Sequence, residues 1–346
     1  MSYTASLLAD VRAQLAPDDA VIKEARQRRD AVRAAAASFF GALRGFNSGS
    51  LAHGTANCPV HQRDKGLDAD CGVVLNRVHH PYLGPDAESK EGPRNIVEQM
   101  RAHLEKRVRE KYPKATFKVT KRAILVTVHE PLPSGEDPTV DIVVALTRKD
   151  APGLWIPNTE ANRWDPSHPE KHTELLTDEP KSRRVTRARA IRLAKAENKR
   201  TETPPLCSFN VEAFGTMFVS TGMSEPQALL AIWREGAADL RRRLTPDPAG
   251  VSAAIKVEDR QRAIDRLQDA ADRLEMALSR DWDEAWVRTK LQPLWPDFIA
   301  TNAGGVTKAR LAASLQSGSK VSVTSAGALT TGAGMALKSP RSFGTP

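Results

Sequence analysis

The sequence predicts an α+β protein with a sheet in its first half and helices in its second. Short apolar runs typical of strands lie between residues 67 and 146, and one of them is followed by a helical segment. From residue 181 to about residue 280, apolar positions recur at helical spacing instead. From about residue 302 the chain is rich in Gly, Ser, Thr and Ala, which predicts a flexible tail. We therefore expect a core over 1–180, a helical domain over 181–300 and a tail over 301–346.

Composition narrows the class of protein. The 346 residues are 40% hydrophobic and 27% charged, which is typical of a soluble globular chain. No run approaches the roughly 20 apolar residues of a membrane span, and the N-terminus does not have the pattern of a secretory signal. Three cysteines, Cys58, Cys71 and Cys207, cannot form a disulfide framework, so we expect a cytoplasmic protein without a membrane partner. The net charge of +9 favours a polyanionic partner such as nucleotide phosphates or nucleic acid, or reflects solvated surface.

The first half is predicted to alternate between helices and strands. Apolar positions at helical spacing run from Asp18 to about Arg44, and a turn-forming cluster follows at 45–50. The remaining predicted elements are a strand over 67–75, a helix over 95–112 and strands over 116–120, 123–128 and 140–146.

The second half is predicted to begin with a long loop. Residues 151–180 are rich in Pro, Asn, Trp and His and show no strand pattern. Helices are predicted after it, over 182–199, 209–220, 225–240 and 251–280.

Three carboxylates on predicted strands indicate metal-assisted chemistry. Asp68 and Asp70 lie two positions apart on one strand and so project from the same face. An isolated pair of this kind is often a solvent-facing strand end. Asp141, however, lies among apolar residues of a later strand, where a carboxylate needs a partner or a metal. If the strands are neighbours, the acids converge and repel, and protonation or cations must neutralise them.

Divalent cations supply a specific reaction at such a cluster. Mg²⁺ and Mn²⁺ prefer carboxylate oxygens together with substrate phosphates. Two such ions about 4 Å apart hold both the attacking hydroxyl and the leaving pyrophosphate of an in-line displacement. Upstream, Gly49 lets the backbone approach a phosphate closely, and the Ser50 hydroxyl with neighbouring N–H groups can hold it. The residues alone therefore predict nucleotidyl transfer.

The order of these motifs resembles a known superfamily. Gly-Ser, then Asp-x-Asp, then a third Asp on a later strand is similar to the polymerase-β-like nucleotidyltransferases. Within it, the chain resembles the CD-NTases, bacterial relatives of cyclic GMP-AMP synthase and oligoadenylate synthase. Residues 154–157 with Trp164 resemble the loop after the third Asp, and residues 192–195 and 205–212 resemble the helical-domain signature. In that signature a Lys and a Ser contact the triphosphate, which points to Lys195 and Ser208.

The resemblance implies a fold, an activity and partners. It implies a polymerase-β-like core with a helical second domain, and two Mg²⁺ or Mn²⁺ ions bound by Asp68, Asp70 and Asp141. It also implies that two or three NTPs are joined into a cyclic messenger that activates a downstream effector in antiphage (CBASS) defence. In related systems the C-terminal tail meets a conjugation or regulatory partner.

Other interpretations stay open at this point. The same chemistry serves enzymes that transfer a nucleotide to RNA or protein, and a non-catalytic RNA-binding relative is a further alternative. The basic helix over 181–200 suits a phosphate-binding wall, nonspecific contact with nucleic acid or a solvated face. His53, Cys58, His61 and Cys71 lack the paired spacing of a structural zinc site, which favours core cysteines and loop histidines.

Overall fold

The computed structural model describes residues 2–58, 66–149 and 151–300, residues 307, 309 and 310, and three two-residue strands beyond residue 320. The chain divides into two compact units. One is Leu15–Asp269, and the other combines Met1–Gln14 with Ala270–Pro346. The seven-stranded sheet and the helices between residues 19 and 242 lie in the first unit, while the predicted boundaries at residues 180 and 300 stay predictions. The predicted tail over 301–346 lies almost wholly outside the described residues.

The larger unit is built on a mixed seven-stranded sheet. Its order is β1-β2-β5-β4-β3, and β6 pairs with both β5 and β7. β2 and β5 are parallel, whereas the other neighbouring pairs are antiparallel. The strands are β1 Ala42–Ser48, β2 Asp68–Leu75, β3 Thr116–Val119, β4 Ile124–Thr127, β5 Thr139–Thr147, β6 Leu154–Asn158 and β7 Arg163–Ser167.

Helices precede, interrupt and follow the sheet. They are α1 Tyr3–Gln14, α2 Asp19–Ala37, α3 Gly49–His53, α4 Arg94–Val108, α5 Pro169–Thr177, α6 Lys181–Asn198, α7 Ser208–Phe218, α8 Glu225–Arg242, α9 Arg260–Ser279 and α10 Glu284–Leu291. Three short strands, β8 Ser322–Val323, β9 Leu329–Thr330 and β10 Met335–Ala336, form a small separate sheet. Within the described residues, no helix combines the length and the apolar character needed to cross a bilayer.

The two faces of the sheet differ because side chains alternate along a strand. Cys71 and Val73 of β2 and Ile142 of β5 join the buried core that α2 and α4 complete. The positions that alternate with these core residues, among them Asp70 and Asp141, project from the opposite face. The core therefore fixes which way the carboxylates point.

The smaller unit has its own buried residues. Leu7, Leu8 and Val11 of α1 and Val287 of α10 are buried, as is Trp295. The backbone N–H of Thr4 donates to Asp281 at 2.7 Å. These contacts fasten the N-terminal helix to the segment that follows Ala270.

The predicted elements agree with the structure except in four places, three of which lie before residue 181. The predicted helix to Arg44 is wrong, because α2 ends at Ala37 and Gly41 turns the chain at φ +74° into β1. The predicted turn at 45–50 is also wrong, since it contains the end of β1 and the start of α3. The predicted loop over 151–180 is also wrong, because it contains β6, β7 and α5. β6 pairs with β5 and β7 pairs with β6, and these ladder hydrogen bonds compensate for the weak strand propensity of the two segments.

The mixed α+β architecture itself is confirmed. β2, β3, β4 and β5 lie where strands were predicted, and α4, α6, α7 and α8 lie where helices were predicted. The last predicted helix begins later than expected, at Arg260.

Candidate active site

The two most buried carboxylates of the predicted set lie side by side. In the parallel pairing of β2 and β5, Asp70 is the register partner of Asp141, and Asp68 is the partner of Thr139. Neighbouring strands are about 4.8 Å apart, so the Asp70 and Asp141 backbones are adjacent. Because residues two apart share a face, Asp68 projects from that face as well. The three acids that the sequence singled out thus lie on one face of two neighbouring strands.

Gly49 lies directly against the side chain of Asp70. Ser48, the last residue of β1, pairs with Asp70, and Gly49 follows at φ +73°. A Cβ atom at Gly49 would lie 1.8 Å from Asp70 Oδ2 and 2.3 Å from its Cγ. Both the left-handed backbone and the missing side chain are therefore required at this position. The Gly-Ser segment is built against the carboxylate cluster.

The acids resist being ionised together. Burial, followed by the charges of Asp141 and Asp68, raises the pKa of Asp70 to about 7, although Lys195 acts in the opposite direction. Burial and the charge of Asp68 raise the pKa of Asp141 to about 6. Like charges in a partly desolvated site disfavour simultaneous ionisation. A nearby positive charge would relieve this repulsion.

The cluster has the donors that a hard cation prefers. Asp141 Oδ1 is buried and, within the described chain, has no hydrogen-bond partner. The Asp68 carboxylate accepts a short hydrogen bond from the Thr139 hydroxyl. Among the described residues, no three acidic, His or Cys side chains are already gathered around one point as a complete ligand set. The unsatisfied oxygen and the all-oxygen donors nevertheless fit Mg²⁺ or Mn²⁺.

One cavity of about 970 Å³ opens over these acids. Ser208, the first residue of α7, lies on its wall and is exposed, whereas Lys195 of α6 is buried. The cavity is lined by every predicted site residue, namely Gly49, Ser50, Asp68, Asp70, Asp141, Lys195 and Ser208. Such a volume lies near the upper end of small-molecule sites.

A buried polar network, which the sequence did not reveal, surrounds Lys195. The Lys195 ammonium lies 2.5 Å from Glu212 Oε1 and 3.1 Å from Thr55 Oγ1. The Thr55 hydroxyl donates to the same Glu212 oxygen at 2.6 Å. His53 Nδ1 lies 3.1 Å from Glu212 Oε2, and His53 Nε2 lies 3.1 Å from Thr173 Oγ1. Burial favours a higher pKa for Glu212, but Lys195 and His53 outweigh it and hold that pKa well below its usual range.

A second pair on the cavity wall was also missed. His172 Nε2 lies 2.6 Å from Asp247 Oδ1, and the His172 ring is 4.8 Å from the ring of Phe209. Burial raises the pKa of Asp247, but hydrogen bonds from Ser252 and Ala249, together with His172, lower it to about 2. Both rings line the cavity. Since each partner lies on a different element, no local sequence pattern indicates this pairing.

The structure gives the histidines and cysteines other environments than a zinc site. Cys71 lies in the sheet core, as expected for a core cysteine. His53 is not a loop residue: it ends α3 and contacts Glu212 and Thr173. His61 lies outside the described residues.

Part of the basic face of α6 is neutralised locally. Arg183 and Arg187 both contact Asp178, at 2.6 and 2.8 Å. Arg184 lies 3.6 Å from Glu179. These arginines serve the junction between α5 and α6, and they do not line the cavity.

One protein family matches the first half of the chain. The profile of the SMODS family, the Second Messenger Oligonucleotide or Dinucleotide Synthetase domain, matches residues 4–179. No curated protein sequence matches the chain significantly.

Solved structures share the fold at low sequence identity. The Bradyrhizobium diazoefficiens CD-NTase CdnG in complex with GTP is 15% identical, with a TM-score of 0.63 over 91% of this chain and 98% of that one. E. coli MS115-1 CdnC with ATP is 18% identical, with a TM-score of 0.59 over 87% and 99%. Vibrio cholerae DncV cyclic AMP-GMP synthase, in complex with the linear intermediate 5′ pppA(3′,5′)pG, is 12% identical, with a TM-score of 0.55 over 86% and 87%.

The polymerase-β-like fold, the register of the acids and the match over half of the chain lead to one family. The chain belongs to the Second Messenger Oligonucleotide or Dinucleotide Synthetase family, and it is a nucleotidyltransferase with the CD-NTase fold.

Proposed function

We propose that this enzyme joins two or three NTPs into a cyclic second messenger at the 970 Å³ cavity, with two Mg²⁺ or Mn²⁺ ions. The observation that carries the proposal is the juxtaposition of Asp70 and Asp141 in register on parallel strands. The buried Asp141 Oδ1 without a hydrogen-bond partner in the described chain and the closely fitted Gly49 support it.

The three acids have different roles in this proposal. Asp68 and Asp70 would hold both ions, and Asp141 would complete the second metal site and activate the acceptor 3′-hydroxyl. Metal ions held there would supply positive charge to neutralise the acids and the charge that develops on the transferring phosphate. The 3′-hydroxyl attacks the α-phosphorus of the donor NTP, the bond to the β-phosphate breaks, and pyrophosphate leaves. A further transfer by the same residues closes the ring and releases another pyrophosphate; it is the second transfer for a dinucleotide and the third for a trinucleotide.

The other residues of the cavity wall bind the donor NTP. The Gly49–Ser50 segment, Lys195 and Ser208 hold its triphosphate. The rings of His172 and Phe209 form an aromatic surface on the same wall, against which a base can pack. The DncV structure with a linear dinucleotide and the CdnG and CdnC structures with GTP and ATP favour NTP substrates for this chain too.

The setting of the reaction follows from the family. We propose that the product activates a downstream effector in antiphage (CBASS) defence in the cytoplasm, and that the C-terminal tail meets a conjugation or regulatory partner. Nucleic acid is not required as a template in this scheme.

Mass spectrometry of the products tests the proposal. Purified protein is incubated with all four NTPs and Mg²⁺, and in parallel with Mn²⁺, and the mixture is then treated with phosphatase. A small phosphatase-resistant oligonucleotide is expected, and it should be missing with Asp141→Asn. Labelled RNA or labelled protein without a small product would identify a transferase acting on macromolecules and would contradict the proposal.

A further inference from the structure

Lys195 lies on the cavity wall but is only 5% exposed, and Glu212 is equally buried. A buried ammonium is costly unless it is paired, and without a carboxylate it would move toward water. Glu212 supplies that carboxylate at 2.5 Å. The buried position of the Lys195 ammonium therefore depends on Glu212.

Glu212 also connects the elements that carry the triphosphate-binding residues. It lies one turn along α7 from Ser208, so the two share a side of the helix. Its Oε1 binds Lys195 of α6 and the Thr55 hydroxyl, and its Oε2 binds His53, the last residue of α3. Because α3 begins at Gly49, one carboxylate fastens all three binding segments to one another.

The contacts of the Lys195 ammonium are unequal. An ammonium has three donors. Two of them are directed to Glu212 Oε1 at 2.5 Å and to Thr55 Oγ1 at 3.1 Å, while the third described contact, with the Thr55 carbonyl, is 3.5 Å long. That weak contact can be exchanged for a phosphate oxygen while the other two stay in place.

On this basis, and resting on the proposed function, we propose that Glu212 is a positioning residue for NTP binding. It holds the Lys195 ammonium at the edge of the cavity, with one donor directed to the triphosphate. The opposite role is a latch, in which Glu212 competes with the nucleotide for Lys195. His53 and Thr55 fix Glu212 independently of Lys195, which favours the positioning role.

A double-mutant cycle distinguishes the two roles. The dissociation constants of α,β-methylene ATP, α,β-methylene GTP and inorganic tripolyphosphate are measured calorimetrically with Mg²⁺. The proteins are the wild type, Glu212→Gln, Lys195→Met and the double variant. We expect each single substitution to weaken binding about tenfold, since a charge-assisted contact is lost. The double variant should bind within about twofold of Lys195→Met, because Glu212 acts through Lys195. In turnover, Glu212→Gln should raise KM and leave kcat within about threefold.

A second pair of variants covers a failure of Glu212→Gln to fold. Thr55→Val removes the hydroxyl that both Lys195 and Glu212 contact, whereas Thr55→Ser keeps it. Thr55→Val is expected to weaken tripolyphosphate binding about fivefold, and Thr55→Ser to restore most of that loss. The exposed Thr289→Val, on α10, is the matched control for the exchange of a hydroxyl for a methyl group.

Several results would overturn the positioning role. One is unchanged or tighter probe binding by Glu212→Gln. Another is a double variant whose loss of affinity equals the product of the losses in Glu212→Gln and Lys195→Met. A third is equal tripolyphosphate affinity of Thr55→Val and Thr55→Ser. Wild-type protein that binds none of the three probes would instead refute the proposed function, and this inference with it.

Discussion

Two walls of the same cavity differ in whether neighbouring groups compensate their charges. We define the acidic wall as Asp68, Asp70 and Asp141. It places like charges together and leaves one buried oxygen, Asp141 Oδ1, without a hydrogen-bond partner in the described chain. The pKa of Asp70 is raised to about 7 and that of Asp141 to about 6. The paired wall, His53, Thr55, Lys195 and Glu212, satisfies each charge within a few ångströms and lowers the pKa of Glu212.

The difference indicates separate roles. Charge that the protein leaves uncompensated has to be met by protonation or by something that binds, and we propose cations with phosphates as the ligands of the acidic wall. Charge that is already compensated contributes geometry, because its hydrogen bonds fix where each group lies. Substitutions in the acidic wall should therefore impair turnover, and substitutions in the paired wall should impair binding.

The largest expected effect is that of Asp141→Asn. The amide keeps the shape of the side chain but removes the charge and the basic oxygen, so product formation should fall about 10³-fold. Affinity for α,β-methylene ATP should stay within about threefold, since the triphosphate is bound by other residues. Radiolabelled product assays and calorimetry measure the two quantities. Wild-type turnover by this variant would refute the role of Asp141.

The second-largest effect is expected for Gly49→Ala. This variant should lose about 10²-fold in kcat/KM, the size expected when reacting groups move by about an ångström. Its Cβ would meet Asp70 Oδ2 at 1.8 Å and force the carboxylate away. Gly54→Ala is the matched control: Gly54 also has a positive φ, of +70°, but no atom lies within 4 Å of an added Cβ.

Gly54→Ala should therefore show only the cost of backbone strain, about 1 kcal/mol of stability, and less than about threefold in kcat/KM. Equal losses of activity in the two variants would show that strain, and not the contact with Asp70, explains the effect.

The pH dependence of the Tm should reveal the raised pKa of Asp70 on the acidic wall. Because the pKa of Asp70 is raised in the fold to about 7 from 3.8, protonated Asp70 stabilises the protein below about pH 4. That stabilisation is lost as the pH rises through about 7. Asp70→Asn carries no such charge, so in EDTA its Tm should equal that of the wild type near pH 4 and exceed it by roughly 5 °C at pH 8. A Tm difference that does not change with pH in differential scanning calorimetry would contradict this.

The smallest effect is expected for Ser208→Ala. Removing one neutral hydroxyl from the cavity wall should raise KM for the NTPs about fivefold and leave kcat within about twofold. Ser89→Ala, an exposed serine whose hydroxyl contacts the Tyr82 carbonyl, provides the control. A fall in kcat without a change in KM would place Ser208 in the chemical step.

The acidic wall was predictable from the sequence because its geometry follows from strand periodicity. Asp68 and Asp70 must share a face, and Asp141 stands out among the apolar residues of its own strand. The parallel pairing of β2 and β5 then completes the cluster. Elements with weak local signals were missed. Pro157 and Pro166 mask β6 and β7, and Phe39 and Leu43 continue the helical pattern of α2 into β1.

The paired wall could not be predicted in this way. Its contacts join residues far apart on the chain, such as His53 and Glu212, which are 159 positions apart. No periodicity relates the two, since the tertiary fold decides which side chains of α3 and α7 meet.

The binding of Mn²⁺ tests most directly the claim that the acidic wall exists to hold divalent cations. Calorimetry and electron paramagnetic resonance at pH 7.5, with saturating α,β-methylene ATP, measure the number of ions bound per chain in the wild type and in Asp70→Asn. We expect two ions in the wild type and the loss of stoichiometric binding in the variant. Binding that is absent in the wild type, or that is the same in both proteins, would contradict it.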